Sequence, residues 1–495
     1  MDNAVDTIFD DIKAGTNVKE AMAGLKARVR EHEILELDED KHDVLISLLN
    51  SPEPKIRQSS AFCLGELHIQ KSLPDLFEAY KKDETLYNKE VYAEAISKLD
   101  FKPVLDDLLE LRSQLIKKDI SPEERKHVTG QMRELNRTLK PYIWSEHRFT
   151  GFDLVNEAAL LTNRNFKDIT SGELGSIPHK DFNAGVMIKT KHLKKVLDIR
   201  TYSELLFIPD GAKELPADLK EAARKICEAG IVDYLKARHE PENVPFYFRV
   251  EYKNRSGDAR EKAIFEKSFA AELEFDSKWE LINSVDDYEI EFRVIESSNG
   301  SLKLLLKMCT LPDLRFKYRK QSIAVGMKPN LAALLVRLSS EYLNDNAVVM
   351  DLMCGSGIFL IERDFFKPAG MLYGIDIYGP AVNAALENLT AAGVIRKSEL
   401  ITRDLADFKH THKVNEIWAD TPLMSLNKDA SKLAALFDAL FKKADGLLED
   451  DGHVFVYTHN RELLKKSAAV CGFMCVMDLE ISKIEKSSFC VFSRK

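Results

Sequence analysis

Four aspartates stand at the ends of short apolar runs in the last third of the chain, in AVVMDLMCGSGIFLIE, GMLYGIDI, SELITRDL and NEIWADTPL; in order they are Asp351, Asp376, Asp404 and Asp420. Carboxylates at the carboxyl ends of neighbouring parallel strands face a single crevice, where they can hold the ammonium, hydroxyl and amine groups of a nucleoside ligand. Gly355-Ser356-Gly357 follows the first run, and its glycines let the backbone come close to a ligand because no Cβ intervenes. Asp376, at the tip of the second strand, suits both hydroxyls of a ribose. Asp404, or Asp407 three residues on, is placed to accept a hydrogen from an adenine amino group.

A doubly wound parallel sheet is what would bring these acids together. Ala347 to Met350 reads as a buried strand and IFLIERDFF as the helix after the glycine turn. Pro380 opens a second helix, AVNAALENLTAAG, that ends at Gly393. At the end of the chain GFMCVMDLEIS and SSFCVFSRK flank the tight turn KIEK, which predicts an antiparallel hairpin.

The rest of the chain has two other textures. From Asp43 a helical period through Leu45, Leu48 and Leu49 breaks at Pro52 and Pro54 and restarts at Lys55, with small Ala61 and Gly65 among Ile56, Leu64 and Leu67. The pattern recurs about 34 residues on, with Ala95, Ile96 and Leu99. This resembles paired-helix HEAT-type repeats, which bury their faces only by stacking. SPEERKHVTGQMRELNRTLK, with Ser at the cap and Pro at the first position, predicts a helix leading out of them. Past Trp144, short alternating strands such as AGVMIKT, FYFRVEYKN and YEIEFRVIE mix with helices in an α+β pattern. Their order is similar to a THUMP domain with its ferredoxin-like neighbour. In RFKYRKQSIAVGMKPNLAALL, the cations Arg315, Lys317, Arg319 and Lys320 interleave with Phe316 and Tyr318, a pattern that suits phosphate contacts and base stacking, or else an extended basic strand.

From residue 315 the segments RFKYRKQSIAVGMKPNLAALL, DLMCGSGIFLIE and GIDIYGPAVNAALENLTAAGV resemble class I S-adenosylmethionine-dependent methyltransferases, and more closely the THUMP-bearing RNA methyltransferases that make N2-methylguanosine. The resemblance implies S-adenosylmethionine held by Asp351, Cys354, Gly355, Gly357, Asp376 and Asp404, with Pro329 and Asn330 at its methionine end. It implies catalysis at a fourth strand that normally ends in Asn or Asp, Pro, Pro, and Tyr or Phe. Here that strand ends in Asp420, Thr421, Pro422 and Leu423, so Asp420, Pro422 and Leu423 are the expected catalytic set. An exocyclic base amine is a poor nucleophile, and a carboxylate with a nearby carbonyl can accept its hydrogens and aim its lone pair. Thr421 is expected to loosen the turn, and Leu423 to remove the plane on which a flipped base stacks.

The expected architecture is therefore multidomain: an α-helical HEAT-like module over 1–140, a THUMP/ferredoxin-like α+β region over 141–314, and an α/β doubly wound methyltransferase over 315–495. Structured RNA is the expected partner, tRNA ahead of rRNA, with a protein partner possible at the repeats. The rivals are a non-catalytic RNA-binding scaffold and a DNA N6-adenine methyltransferase. The 495 residues carry a net charge of −9, which excludes nucleic-acid binding through bulk charge and makes any such contact regional. No apolar run approaches the roughly 18 residues that span a bilayer, and the start MDNAVDTIFDDIK is acidic, so a cytoplasmic protein with no membrane contact is expected. The seven cysteines form no CxxC pair, and His410 and His412 lack nearby co-ligands in sequence, so neither a disulfide framework nor a metal is expected; His459 reads as a rim residue.

Overall fold

The computed structural model describes residues 3–31, 37–423 and 426–495. They group into two compact units, Met1–Thr150 with Pro209–Thr310, and Gly151–Ile208 with Leu311–Lys495.

In the first unit, helices Pro54–Glu66 and Leu86–Ser97 come into close contact at Gly65, where a Cβ would stand 2.6 Å from Ala95 Cα. That contact is why the sequence alternates large and small residues there. Helix Pro122–Ile143 begins with a reciprocal capping box between Ser121 and Glu124. Strands Leu302–Met308, Ile290–Glu296, Phe246–Lys253 and Leu281–Asn283 lie side by side in that order. The helical and sheet portions share polar ties: Arg125 pairs with Glu272 at 2.5 Å, and Glu289 accepts from Trp144 Nε1 at 3.1 Å and bonds His147 Nδ1 at 2.8 Å. Trp279 completes the helical core.

The second unit holds the chemistry. Its larger sheet consists of β1 (Val348–Asp351), β2 (Met371–Asp376), β3 (Ser398–Thr402), β4 (Val414–Asp420), β5 (Leu448–Thr458), β6 (Phe473–Ser482) and β7 (Ser487–Arg494). Their order is β3-β2-β1-β4-β5-β7-β6. The first five strands are mutually parallel, and β7 runs antiparallel to both β5 and β6. This is the class I methyltransferase arrangement, hairpin included. Strand order reverses between β1 and β4, and ligands in such sheets bind outside the carboxyl ends at that reversal. Helices α1 (Pro329–Leu338), α2 (Ile358–Phe366) and α3 (Gly379–Ala391) contribute buried residues to the core beside β1 and β2. Strands His179–Phe182, Gly185–Thr190, Asn156–Leu161 and Glu204–Phe207 also belong to this unit and pair in that order.

Residues 315–318 depart from expectation. They form a turn rather than a strand, and its conspicuous side chains face inward. Arg315 lies over the Tyr202 ring at 3.6 Å and donates to the carbonyls of Ile199 (3.0 Å) and Tyr202 (2.8 Å). The Tyr318 hydroxyl donates to Glu362 at 2.5 Å, and Arg200 grips the same carboxylate with two bonds of 2.8 and 2.7 Å. A buried carboxylate needs such partners, so this part of the basic-aromatic strip is scaffold. Lys317 and Lys320 remain exposed.

Candidate active site

A cavity of about 1130 Å³ opens at the carboxyl edge of the seven-stranded sheet, entirely within the second unit. Asp351, Asp376, Asp404 and Asp420 all line it, so the topology collects the four strand-end acids as expected. Asn330, Cys354, Gly355, Pro422 and Leu423 also line it. Pro329 and Gly357 are not among the lining residues. Pro329 is buried at the first position of α1. Gly357 has φ +78°, and a Cβ on it would stand 2.5 Å from Leu389 Cδ1 on α3, so turn geometry and helix packing demand this glycine. Asp407 lies outside the lining as well, so of these two acids Asp404 is the one that faces the cavity.

Beyond β1 the loop is held by its own backbone and by Asp376. Met353 N–H donates to Asp351 (3.1 Å), Cys354 N–H to the Ile375 carbonyl (2.9 Å), and Gly355 N–H to Asp376 Oδ2 (2.8 Å). Asp376 Oδ1 accepts from Tyr378 N–H at 2.8 Å, so this one carboxylate fixes both the glycine turn and the entry to α3. Asn388 on α3 braces the turn from behind, donating to the Ser356 carbonyl (2.9 Å) and accepting from the N–H groups of Lys320 (2.8 Å) and Gln321 (3.0 Å). The buried Ser356 hydroxyl lines the cavity and has no hydrogen-bond partner among the described residues. An orphaned donor beside a carboxylate-lined hollow is what a polar ligand would satisfy.

Burial sets the electrostatics. Asp351 is 1% exposed, and burial pushes its carboxyl well above the usual carboxylate range, with the negative charges of Asp420 and Asp376 adding to the effect. Burial also raises Asp420 to about 7. Its carboxylate accepts no hydrogen bond from the described residues.

The turn after β4 is firmer than the sequence implied. Thr421 donates to the Tyr457 carbonyl on β5 twice, through its N–H (3.0 Å) and its hydroxyl (3.0 Å). Two bonds to the neighbouring strand thus hold the turn at the position where the resembling family has the first of its two prolines. Thr421→Pro would delete both donors and leave a buried carbonyl short of partners, a cost of about 1–3 kcal/mol. Thermal unfolding should show a melting point lower by about 3–8 °C with no gain in methyl transfer. A more stable or more active variant would mean these bonds do not hold the turn.

Several cavity residues carried no sequence signal. Thr162 to Asn165 form part of the lining. Asn163 donates to the Ile481 carbonyl at 3.0 Å and Asn165 to that of Glu480 at 3.2 Å, which fastens this loop to β6. Arg164, Lys328, Arg403 and Lys483 are exposed at the lining, and none is paired with a carboxylate among the described residues. Arg403, adjoining Asp404, could have been picked out; Arg164, hundreds of residues upstream, could not.

A doubly wound sheet of this order, with acids converging at its switch point, defines a class I methyltransferase domain. Comparison with known families is more specific, since residues 317–477 match the model of the RMKL-like, methyltransferase domain. Similar solved structures include TrmN from Thermus thermophilus, 18% identical over 69% of this chain and 100% of that one, with a TM-score of 0.51. A predicted N6-adenine-specific DNA methylase from Listeria monocytogenes is 14% identical over 69% and 96% of the two chains, with a TM-score of 0.50. SMU.472, a candidate methyltransferase complexed with SAH, is 14% identical over 69% and 98%, with a TM-score of 0.52. At these identities the likeness is one of fold. Family match and site together make this an S-adenosylmethionine-dependent methyltransferase domain. No helix among the described residues is long and apolar enough to cross a membrane.

Proposed function

We propose that the protein methylates an exocyclic base amine in RNA, guanine N2 in tRNA foremost, with rRNA as the nearest alternative substrate. The observation that carries this reading is Asp420: a carboxylate with no hydrogen-bond partner among the described residues, raised to about 7, at the switch point of a cofactor-sized hollow. Arg164, Lys328, Arg403 and Lys483 at the lining, none paired with a carboxylate among the described residues, support a polyanionic substrate despite the chain's net charge of −9. In the same reading, residues 1–140 are a HEAT-like module serving as a protein-docking or RNA-orienting arm, 141–314 a THUMP-like region that grips structured RNA, and 315–495 the catalytic domain of a cytoplasmic enzyme.

Bound S-adenosylmethionine would supply an electrophilic methyl group. Asp376 would hold its ribose, Asp404 its adenine amino group, and Asp351, Ser356 and Asn330 its methionine end. Asp420 accepts one hydrogen of the target amine and a backbone carbonyl near Pro422 the other, which frees the nitrogen lone pair for in-line attack. Asp420 is also placed to take the proton that the amine would shed on gaining the methyl group, unless solvent takes it.

Because Asp376 both faces the ligand and ties down the turn, Asp376→Ala should weaken S-adenosylmethionine binding by about 10- to 100-fold in calorimetry, in line with the loss of charge-assisted hydrogen bonds. Unchanged affinity would remove Asp376 from the cofactor site. The reaction itself is tested by incubating the protein with methyl-labelled cofactor and a mixture of bulk tRNA, rRNA and duplex DNA, then identifying the labelled nucleoside. Label in N2-methylguanosine from tRNA is expected. Tight cofactor binding with no transfer to any of the three would overturn the catalytic reading and leave an RNA-binding scaffold.

A further inference from the structure

We infer that His459 supplies the ring against which the target base lies, taking the part that an aromatic residue at position 423 would otherwise play. This rests on the base-methylation reading. Leu423 is 68% exposed at the cavity and offers no aromatic plane. Among the described residues, three aromatic side chains line the cavity: Phe359, Tyr457 and His459. Phe359 and Tyr457 are 3% and 6% exposed and belong to the core. His459 is half-buried and keeps part of its ring open.

Its position follows from the sheet. In the parallel β4–β5 ladder Asp420 pairs with Tyr457, and two residues beyond that rung on each strand stand Pro422 and His459. The ladder holds past the strand end through the Thr421 N–H bond to the Tyr457 carbonyl, so His459 follows directly on the turn that carries the amine-orienting groups. The ring is also fixed. Nδ1 lies 2.9 Å from the Glu485 carbonyl, which can only accept, so Nδ1 carries a hydrogen and donates it. The imidazole meets Tyr457 edge-on, with centroids 5.6 Å apart. Glu485 is itself held through its N–H bond to Ser482 Oγ at 3.1 Å, so the β6–β7 turn acts as a bracket for the ring. A restrained, half-open imidazole beside the amine-orienting turn is suited to stacking an extruded purine.

The test combines catalysis with a readout that needs none. In methyl transfer to bulk tRNA, His459→Ala should lower kcat/KM by about 10- to 100-fold, the range for loss of one base–aromatic stack. Cofactor affinity and melting point should stay at native values. His459→Phe should retain most of the activity, and Leu423→Phe added to His459→Ala should recover it, a rescue that a merely structural histidine would not give. His459→Ala at the native rate, or His459→Phe as damaged as His459→Ala with no recovery from Leu423→Phe, overturns the inference. If the native chain transfers no methyl to RNA, proton NMR of ring-labelled histidine decides separately. With S-adenosylhomocysteine present, guanosine or adenosine 5′-monophosphate should shift the one signal that His459→Phe removes. An unmoved signal counts against His459 whatever the enzyme's substrate proves to be.

Discussion

Asp420→Ala is expected to lower the rate constant for methyl transfer by about 10²- to 10³-fold, the scale of losing a positioned acid–base group, while S-adenosylmethionine affinity stays within about two-fold of native. The split follows from position, since Asp420 stands at the end of β4, whereas the carboxylates assigned to the cofactor stand at or just past the ends of β1, β2 and β3. Because burial raises its carboxyl to about 7, the accepting form is half-populated near neutrality. The rate should therefore climb about ten-fold per pH unit below 7 and level off above it, as for a single ionisation. Asp420→Asn should be slow and flat across the same range.

The same shift acts on stability. The unfolded chain releases the Asp420 proton near pH 4, whereas the folded chain keeps it to about 7, so the native state binds more protons in between and stability falls as pH rises through that window. The penalty is bounded at about 4 kcal/mol by pH 8, and solvent in the open crevice reduces it to about 1–2 kcal/mol. Asp420→Asn should thus raise the melting point by about 3–6 °C at pH 8, with a gain that shrinks toward pH 4. A carboxylate kept at a cost in stability is the pattern of a functional group.

The second large effect lies behind the site. Glu416 on β4 and Arg363 on α2 are fully buried and joined by two bonds, Nε to Oε2 at 2.6 Å and Nη2 to Oε1 at 2.5 Å. Glu416 also accepts from Trp418 Nε1 and Asn344 N–H, both at 3.1 Å, while Arg363 donates to the carbonyls of Asn344 and Lys367. Glu416→Ala leaves a buried guanidinium without its counter-ion and two N–H groups without their acceptor, and should cost about 3–5 kcal/mol, because breaking such a pair is far worse than lacking it. That corresponds to a melting point lower by about 10 °C or more in calorimetric unfolding. Arg363→Met combined with Glu416→Leu should recover most of the loss, since neither charge is then stranded. Single and double variants falling equally would show that packing, not charge pairing, holds α2 against β4.

These cases also show what could be read in advance. The strand-end acids and the glycine turn were legible because an apolar run that stops at a carboxylate is a local pattern. The hairpin was legible because its two strands adjoin. Arg363 and Glu416 carried no such signal, being 53 residues apart and meeting only across α2 and β4. Asn156–Leu161, NEAALL, has the composition of a helix yet is a strand paired on both edges, so tertiary pairing overrides propensity there. Arg315 and Tyr318 looked like a nucleic-acid strip because sequence shows charge and aromaticity but not the inward carbonyls and carboxylate that claim them. Thr421 looked like a weakened turn because its acceptor, the Tyr457 carbonyl, lies on another strand.

The most direct measurement compares modified nucleosides in tRNA from cells with the protein, without it, and with Asp420→Ala in its place. N2-methylguanosine at a defined position should disappear on deletion, return with the native chain, and not return with the variant. Identical nucleoside profiles in all three would contradict methylation of tRNA by this protein.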